Sequence, residues 1–160
     1  MRRLLIWWLK RQRGKDGKFP RDLFNATPRI FGEACLELCI FRNDLKGNKE
    51  VYLSRRSIGD PFYSGAWHVP GTRKLPDDTD KIQLLRVLSE VPFFIDWRLV
   101  KYGYSITIHT ERGTEYADVR YIIIPYCQDD PGFYDITELP STTINSHRDF
   151  IEDLGEALNE

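Results

Sequence analysis

The chain has 160 residues, 41% apolar and 29% charged, which is the balance of one soluble globular domain rather than of a disordered segment. A domain of this length buries roughly 70% of the surface its unfolded chain exposes, so stability requires no disulfide or metal staple. The 23 basic and 24 acidic residues nearly cancel, which excludes a chain-wide polyanion binder.

The charge is unevenly distributed. Residues 1–21 carry eight basic residues (Arg2, Arg3, Lys10, Arg11, Arg13, Lys15, Lys18, Arg21) and one acid, Asp16, a net of +7. The rest of the chain carries 15 basic and 23 acidic residues. A basic arm on an acidic body is compatible with anionic lipid, nucleic acid or intramolecular docking. Within the arm, Leu4 to Leu9 is an apolar run with Trp7 and Trp8. It is far shorter than the about 20 residues of a membrane span, and shorter than the apolar core of a signal peptide. The three cysteines, Cys35, Cys39 and Cys127, are an odd number without zinc-ribbon spacing, which points to a reduced, cytoplasmic compartment.

In chain order, residues 2–12 read as a short helix, with a strand as the alternative, and 18–33 as an ordered loop around Pro20 and Pro28. Residues 34–41 predict a strand, 43–48 a hairpin loop and 51–55 a second strand. A Gly- and Pro-rich connector spans 59–71. The pattern predicts a helix over 79–91, capped by Thr79 and stopped by Pro92. Strand-like runs follow at 94–100, 104–110 and 115–126, the last two joined as a hairpin through Glu111 to Thr114. Gln128 to Gly132 is a loop. From Ser146 an amphipathic helix places Phe150, Ile151, Leu154 and Leu158 on one face. Hairpins mixed with helices predict a mixed α+β or α/β fold. The segment 1–33 is read as part of the same domain as 34–160.

Four groups of residues carry a family resemblance. One strand ends Cys39-Ile40-Phe41-Arg42 and the next Leu53-Ser54-Arg55-Arg56. Then comes Gly65-Ala66-Trp67-His68-Val69-Pro70-Gly71, and later Phe133-Tyr134-Asp135-Ile136-Thr137-Glu138-Leu139-Pro140. This order resembles the Nudix hydrolases, whose G-x-W-x-x-P-G segment leads into the box G-x5-E-x7-R-E-U-x-E-E-x-G-U, where U is aliphatic. With Pro70-Gly71 as anchor, Thr72 stands at the first glycine, Asp78 at the first glutamate and Arg86 at the arginine, with no gap. Leu88 and Phe94 keep the apolar sites and Glu90 keeps one glutamate. Val87 and Val91 replace two glutamates, and Phe93 replaces the last glycine.

The resemblance implies a Nudix-like α/β/α sandwich with a mixed sheet. It also implies a magnesium- or manganese-dependent diphosphate hydrolysis, with Glu90 and Arg86 as the residual catalytic pair. Glu90 and the Gly71 carbonyl are the metal ligands it implies, and Gly71, Arg55, Arg73 and Trp67 the substrate contacts. Magnesium wants hard oxygen donors in octahedral geometry, and valine offers no lone pair. The reading is therefore a Nudix-fold protein with an impaired, weak or absent metal site, which binds a nucleotide-like molecule or a protein partner, including a second copy. One alternative is an active hydrolase of a nucleoside diphosphate linked to another moiety, with relocated ligands. A second is a membrane- or nucleic-acid-associated module acting through residues 1–21.

Other residues have plainer readings. Arg86 and Glu90, four apart, fit a helix-surface pair as well as a phosphate site. Asp77, Asp78 and Asp80 fit favourable charge at a helix N-terminus. Asp129 and Asp130 fit turn chemistry as well as a catalytic base. His68, His109 and His147 are far apart in sequence and suggest no shared site. Cys35 and Cys39 share a strand face as core thiols, and Tyr102, Tyr104, Tyr121 and Tyr126 read mainly as packing. At about 100° per residue from Ile82, Val87, Val91, Leu84, Leu88 and Leu85 fall at about 140°, 180°, 200°, 240° and 300°. That arc predicts a helix face covered by apolar groups.

Overall fold

A computed structural model describes Arg11 and residues 33–75, 77–110, 113–127 and 131–158. The helix expected over 2–12, apart from Arg11, lies outside these residues, as do the loop expected before Glu33, the pair Asp129 and Asp130, and the apolar run with its two tryptophans.

The architecture is set by Glu33–Asn43 (β1), in which residues 35 to 42 are buried without interruption. Side chains of a strand alternate between its two faces, so burial of both faces requires a cover on each side. Leu36, Leu38 and Ile40 belong to one hydrophobic cluster, and Cys35, Cys39 and Phe41 to the other. Lys49–Tyr52 (β2) returns antiparallel to β1 after the Asp44 turn, whose carboxylate accepts from the Lys46 and Asn48 amides. The run expected over 51–55 is interrupted at Leu53, whose amide donates to Gly132 O. Ser54–Arg55 (β3) then pairs with Trp67–His68 (β4) as a separate ribbon. Gly71–Arg73 (β5) pairs antiparallel with the first half of β1. Gly71 stands opposite Glu37, and a Cβ there would meet the Glu37 carboxylate, so a larger residue would have to displace that side chain.

Asp80–Leu88 (α1) starts where the sequence predicts, with Thr79 Oγ1 accepting from Ile82 N at 3.3 Å. It ends at Leu88 rather than residue 91. The Glu90 and Val91 amides turn back to Val87 O and Leu88 O, three residues earlier, since Pro92 disfavours helical backbone at the residue before it. The run 94–100, expected as a strand, is corrected. Trp97–Leu99 forms a single 3₁₀ turn, because the Asp96 carboxylate accepts from Arg98 N and competes with strand pairing. Lys101–Thr110 (β6) and Gly113–Ile123 (β7) form the expected hairpin, and β7 runs parallel to β1 over nine residue pairs. After Phe133–Asp135 (β8), Asn145–Ala157 (α2) closes the fold. Phe150, Ile151 and Leu154 are buried as expected, and Leu158 packs partly buried just past the end.

The sheet order is β6-β7-β1-β2-β8, with β5 beside β1. One face packs on Phe150, Ile151 and Leu154 of α2, the other on Leu84 and Val87 of α1, which makes an α/β/α sandwich with a mixed sheet. The covering of α1 is narrower than its apolar arc. Leu84 and Val87 are fully buried and Leu88 partly, while Ile82 and Leu85 face out. Among the described elements the helix packs chiefly on β1, β5 and the 3₁₀ turn, so one side of it faces the sheet.

Val87 has 0% and Val91 9% exposure, in one cluster with Tyr52, Phe93, Ile95 and Phe133. Introducing Val87→Glu with Val91→Glu should lower the melting temperature, with a loss on the order of a few kcal/mol, since both carboxylates enter an apolar core. Melts with and without magnesium check this, and an unchanged midpoint would contradict the burial.

Cys39 lies fully inside, and burial together with the Glu37 charge pushes its thiol well above the usual range. Cys35 is also buried, whereas Cys127 is exposed. A thiol reagent should label Cys127 at once and the other two only on unfolding, which mass spectrometry of the labelled peptides reads directly.

Candidate functional site: the box helix and its entry loop

The segment from β5 into α1 is held by side-chain to backbone bonds. Gln83 Nε2 donates to Thr72 O at 3.1 Å, and Arg86 Nη2 to Arg73 O at 2.7 Å. The same Arg86 nitrogen meets Asp78 Oδ2 at 2.6 Å, and that oxygen also accepts from Leu75 N at 2.8 Å. Asp78 is nearly enclosed, with 7% of its side chain exposed. The first-acid and arginine positions of the box are therefore joined to each other. This corrects the reading of Arg86 with Glu90 as a helix pair: Arg86 turns toward β5, and Glu90 faces solvent. Asp80 does not merely favour the helix N-terminus. It pairs with Lys74 at 2.9 Å and lies 3.6 Å from Arg120, across on β7.

The substrate candidates separate into two places. Arg55 and Trp67 are paired on the β3–β4 ribbon, where the Arg55 guanidinium lies 5.8 Å from the indole centre and its Nε donates to Gly65 O. Trp67 also packs edge-on to Tyr134 at 5.1 Å. Gly71 and Arg73 lie on β5, and Arg73 forms a two-point ion pair with Glu33. Beside the helix lies a groove of about 230 Å³, lined by Lys74, Gln83, Ser105, Thr107, Tyr116 and Asp118 among others. Neither Val87, Glu90 nor Val91 lines it. Of the four tyrosines, Tyr104 and Tyr121 pack on the core and Tyr104 donates to Asp153, while Tyr102 and Tyr126 are exposed.

The box would offer magnesium carboxylates at positions 87, 90 and 91, and the residues there do not fit it. Glu90 is the one carboxylate, and the other two side chains are buried valines. Among the described residues no group of three or more His, Cys, Asp or Glu is placed to hold a metal ion.

A cluster that the sequence reading separated lies just upstream. The rings of His68 and His147 are 6.1 Å apart, and Val69 N donates to His147 Nδ1 at 3.2 Å. His68 Nδ1 lies 2.7 Å from Val69 O and Nε2 3.2 Å from Ser54 Oγ. Burial, aided by the Arg56 charge, lowers the His68 pKa to about 4. Burial, then the charges of His68 and Arg56, holds His147 well below the usual range. The two histidines are 79 positions apart in sequence, so periodicity carries no signal for their meeting.

No protein-family model matches the chain, and no curated protein matches it significantly. Solved structures do match. NrtR of Shewanella oneidensis superposes with a TM-score of 0.63 at 17% identity, covering 79% of this chain and 63% of that one. A mutT/nudix family protein from Listeria innocua gives 0.63 at 18% identity, over 82% of this chain and 96% of that one. The C-terminal domain of mouse MUTYH, solved with human PCNA, gives 0.63 at 14% identity, over 79% and 89%. The chain has the Nudix fold.

The enclosed Asp78–Arg86 pair anchors the loop to the helix. Asp78→Asn and Arg86→Gln should each destabilise by about 1–3 kcal/mol, with the double mutant clearly less than additive. Denaturant unfolding of the four proteins measures the coupling, and full additivity would show that the pair contributes nothing.

Proposed function

We propose that this chain is a Nudix-fold binding protein that carries out little or no diphosphate hydrolysis. The observation that carries the reading is the burial of Val87 and Val91 in the core cluster shared with Tyr52, Phe93 and Phe133. Diphosphate cleavage in this fold needs cations on the phosphate oxygens and on the attacking water. Position 87 on the helix and position 91 just past its end, which would aim carboxylates at those cations, are filled here by packing groups, and Glu90 alone carries too little charge to gather them.

The ligand class is nucleotide-like. One neighbour is the NUDIX domain of Shewanella oneidensis NrtR complexed with ADP ribose, at a TM-score of 0.57 and 19% identity. Arg55 over Trp67, on the ribbon before the box, offers a cation and an aromatic face to such a molecule. Gly71 lines the path from that ribbon to α1. A protein partner is the companion possibility within this reading, as in the MUTYH domain solved with PCNA. The reading places the chain in the cytoplasm, where its cysteines stay reduced. No helix among the described residues is long and apolar enough to cross a membrane.

The test is a titration of magnesium and manganese against ADP-ribose and dinucleoside polyphosphates, with calorimetry and product analysis on the same samples. The expected outcome is metal-independent binding with no product, unchanged in Glu90→Gln. Metal-dependent turnover that disappears in Glu90→Gln would establish the hydrolase reading instead. Binding to anionic vesicles or DNA that falls steeply with salt, and is lost with residues 1–21, would establish the arm as the functional part.

A further inference from the structure

The loop that leads into the box is stitched to the start of α2 through an unprotonated imidazole. Trp67 N donates to Thr142 O at 3.2 Å and Ile144 N to Trp67 O at 3.0 Å, so residues 142–144 run beside β4 as a parallel bridge. The next stitch is Val69 N to His147 Nδ1. A ring nitrogen that accepts a hydrogen bond carries no proton, so the neutral ring holds its proton on Nε2. Protonation would turn Nδ1 into a donor aimed at another donor. The amide could not turn away without moving Pro70, whose carbonyl accepts from Leu38 N of β1 at 2.8 Å.

The surroundings offer little to stabilise a cation. His147 is buried, its ring against Phe150 at 5.5 Å and His68 at 6.1 Å. Arg56, next to β3, acts on both histidines with positive charge. Asp60 is the acid that acts on His68, and it is engaged by Arg56 at 3.1 Å. On α2 the adjacent Arg148 directs its guanidinium to the Leu139 and Pro140 carbonyls.

We propose that His147 is a pH-sensitive latch: proton uptake releases the first turn of α2 from Val69 and frees the loop that carries Pro70 and Gly71 into the box. The sign follows from linkage. In the open seam the imidazole titrates near its free value of about 6.5, whereas in the closed seam it is held well below that. The closed form is therefore favoured at neutral pH. As pH falls below the open-state value, each unit shifts the balance toward the open form by about tenfold, until the closed form also protonates. Closed and open states differ in whether Gly71 and the ribbon bearing Trp67 are held against the sheet. The latch is independent of whether the site hydrolyses, binds or does neither.

The test is imidazole and amide NMR on the full chain. At pH 7 His147 should show the Nε2–H tautomer. From about pH 6 to about pH 4, exchange protection at Val69 and Ile144, corrected for intrinsic rates, should fall by up to about tenfold per unit. Over the same range Cys39 and Ile40 in β1 should stay protected. In His147→Asn, whose side-chain oxygen accepts the same bond and does not titrate, the acid loss of protection should become shallower, and what remains belongs to His68. Loss of protection in β1 and the seam together would overturn the proposal, as would an Nδ1–H tautomer or an unchanged acid response in His147→Asn. If the variant does not fold, the order of opening in the wild type decides by itself.

Discussion

Eight consecutive buried residues in the middle of β1 govern the whole molecule. A strand buried on both faces has no solvated side, so each parity of its side chains needs a separate cover. Leu36, Leu38 and Ile40 recruit α1, while Cys35, Cys39 and Phe41 recruit α2. The same strand takes β7 in parallel along one side, and β5 and then β2 along the other. Glu37 is the one carboxylate in this run. Its carboxylate fills the space beside Gly71, just before the box, where a Cβ would meet it.

From that frame the character of α1 follows. The helix leans on β1 and β5, and what lies on its inner arc is decided by volume rather than by charge. Val87 on that arc joins the core together with Val91 and Phe93 from the following turn and Phe133 from β8. The polar side of the helix is kept for holding the loop: Gln83 on Thr72 O, and Arg86 on Arg73 O and Asp78. Holding the loop and packing on the sheet thus fall to different angles of the same nine-residue helix.

The other helix shapes the approach to this region. Residues 142–147 add backbone and imidazole bonds to β4 and Val69, so the C-terminal element helps position the segment 67–71. The rings of Trp67, Tyr134, His147 and Phe150 lie along that junction. The segment preceding the box is thus coupled to a helix about 75 residues further on, through contacts whose strength depends on the protonation of one ring.

The sequence by itself determined the elements whose signals are local. The apolar run of β1, the Thr79 cap, the hairpin β6–β7 and the periodicity of α2 depend on near neighbours, and they stand within a few residues of where the pattern places them. The spacing from Pro70-Gly71 through Asp78 to Arg86 was equally legible, because a loop–helix motif keeps its chemistry at fixed offsets. Only the tertiary structure decided how those residues pair. Helical spacing put Glu90 within reach of Arg86, and the course of the loop from β5 into the helix turned it to Asp78 instead. The run 94–100 has strand composition, yet among the described residues no strand pairs with it, and the Asp96 side chain made part of it a turn. His68 and His147 meet because β4 and the start of α2 run side by side, a contact between distant segments that no short-range period encodes.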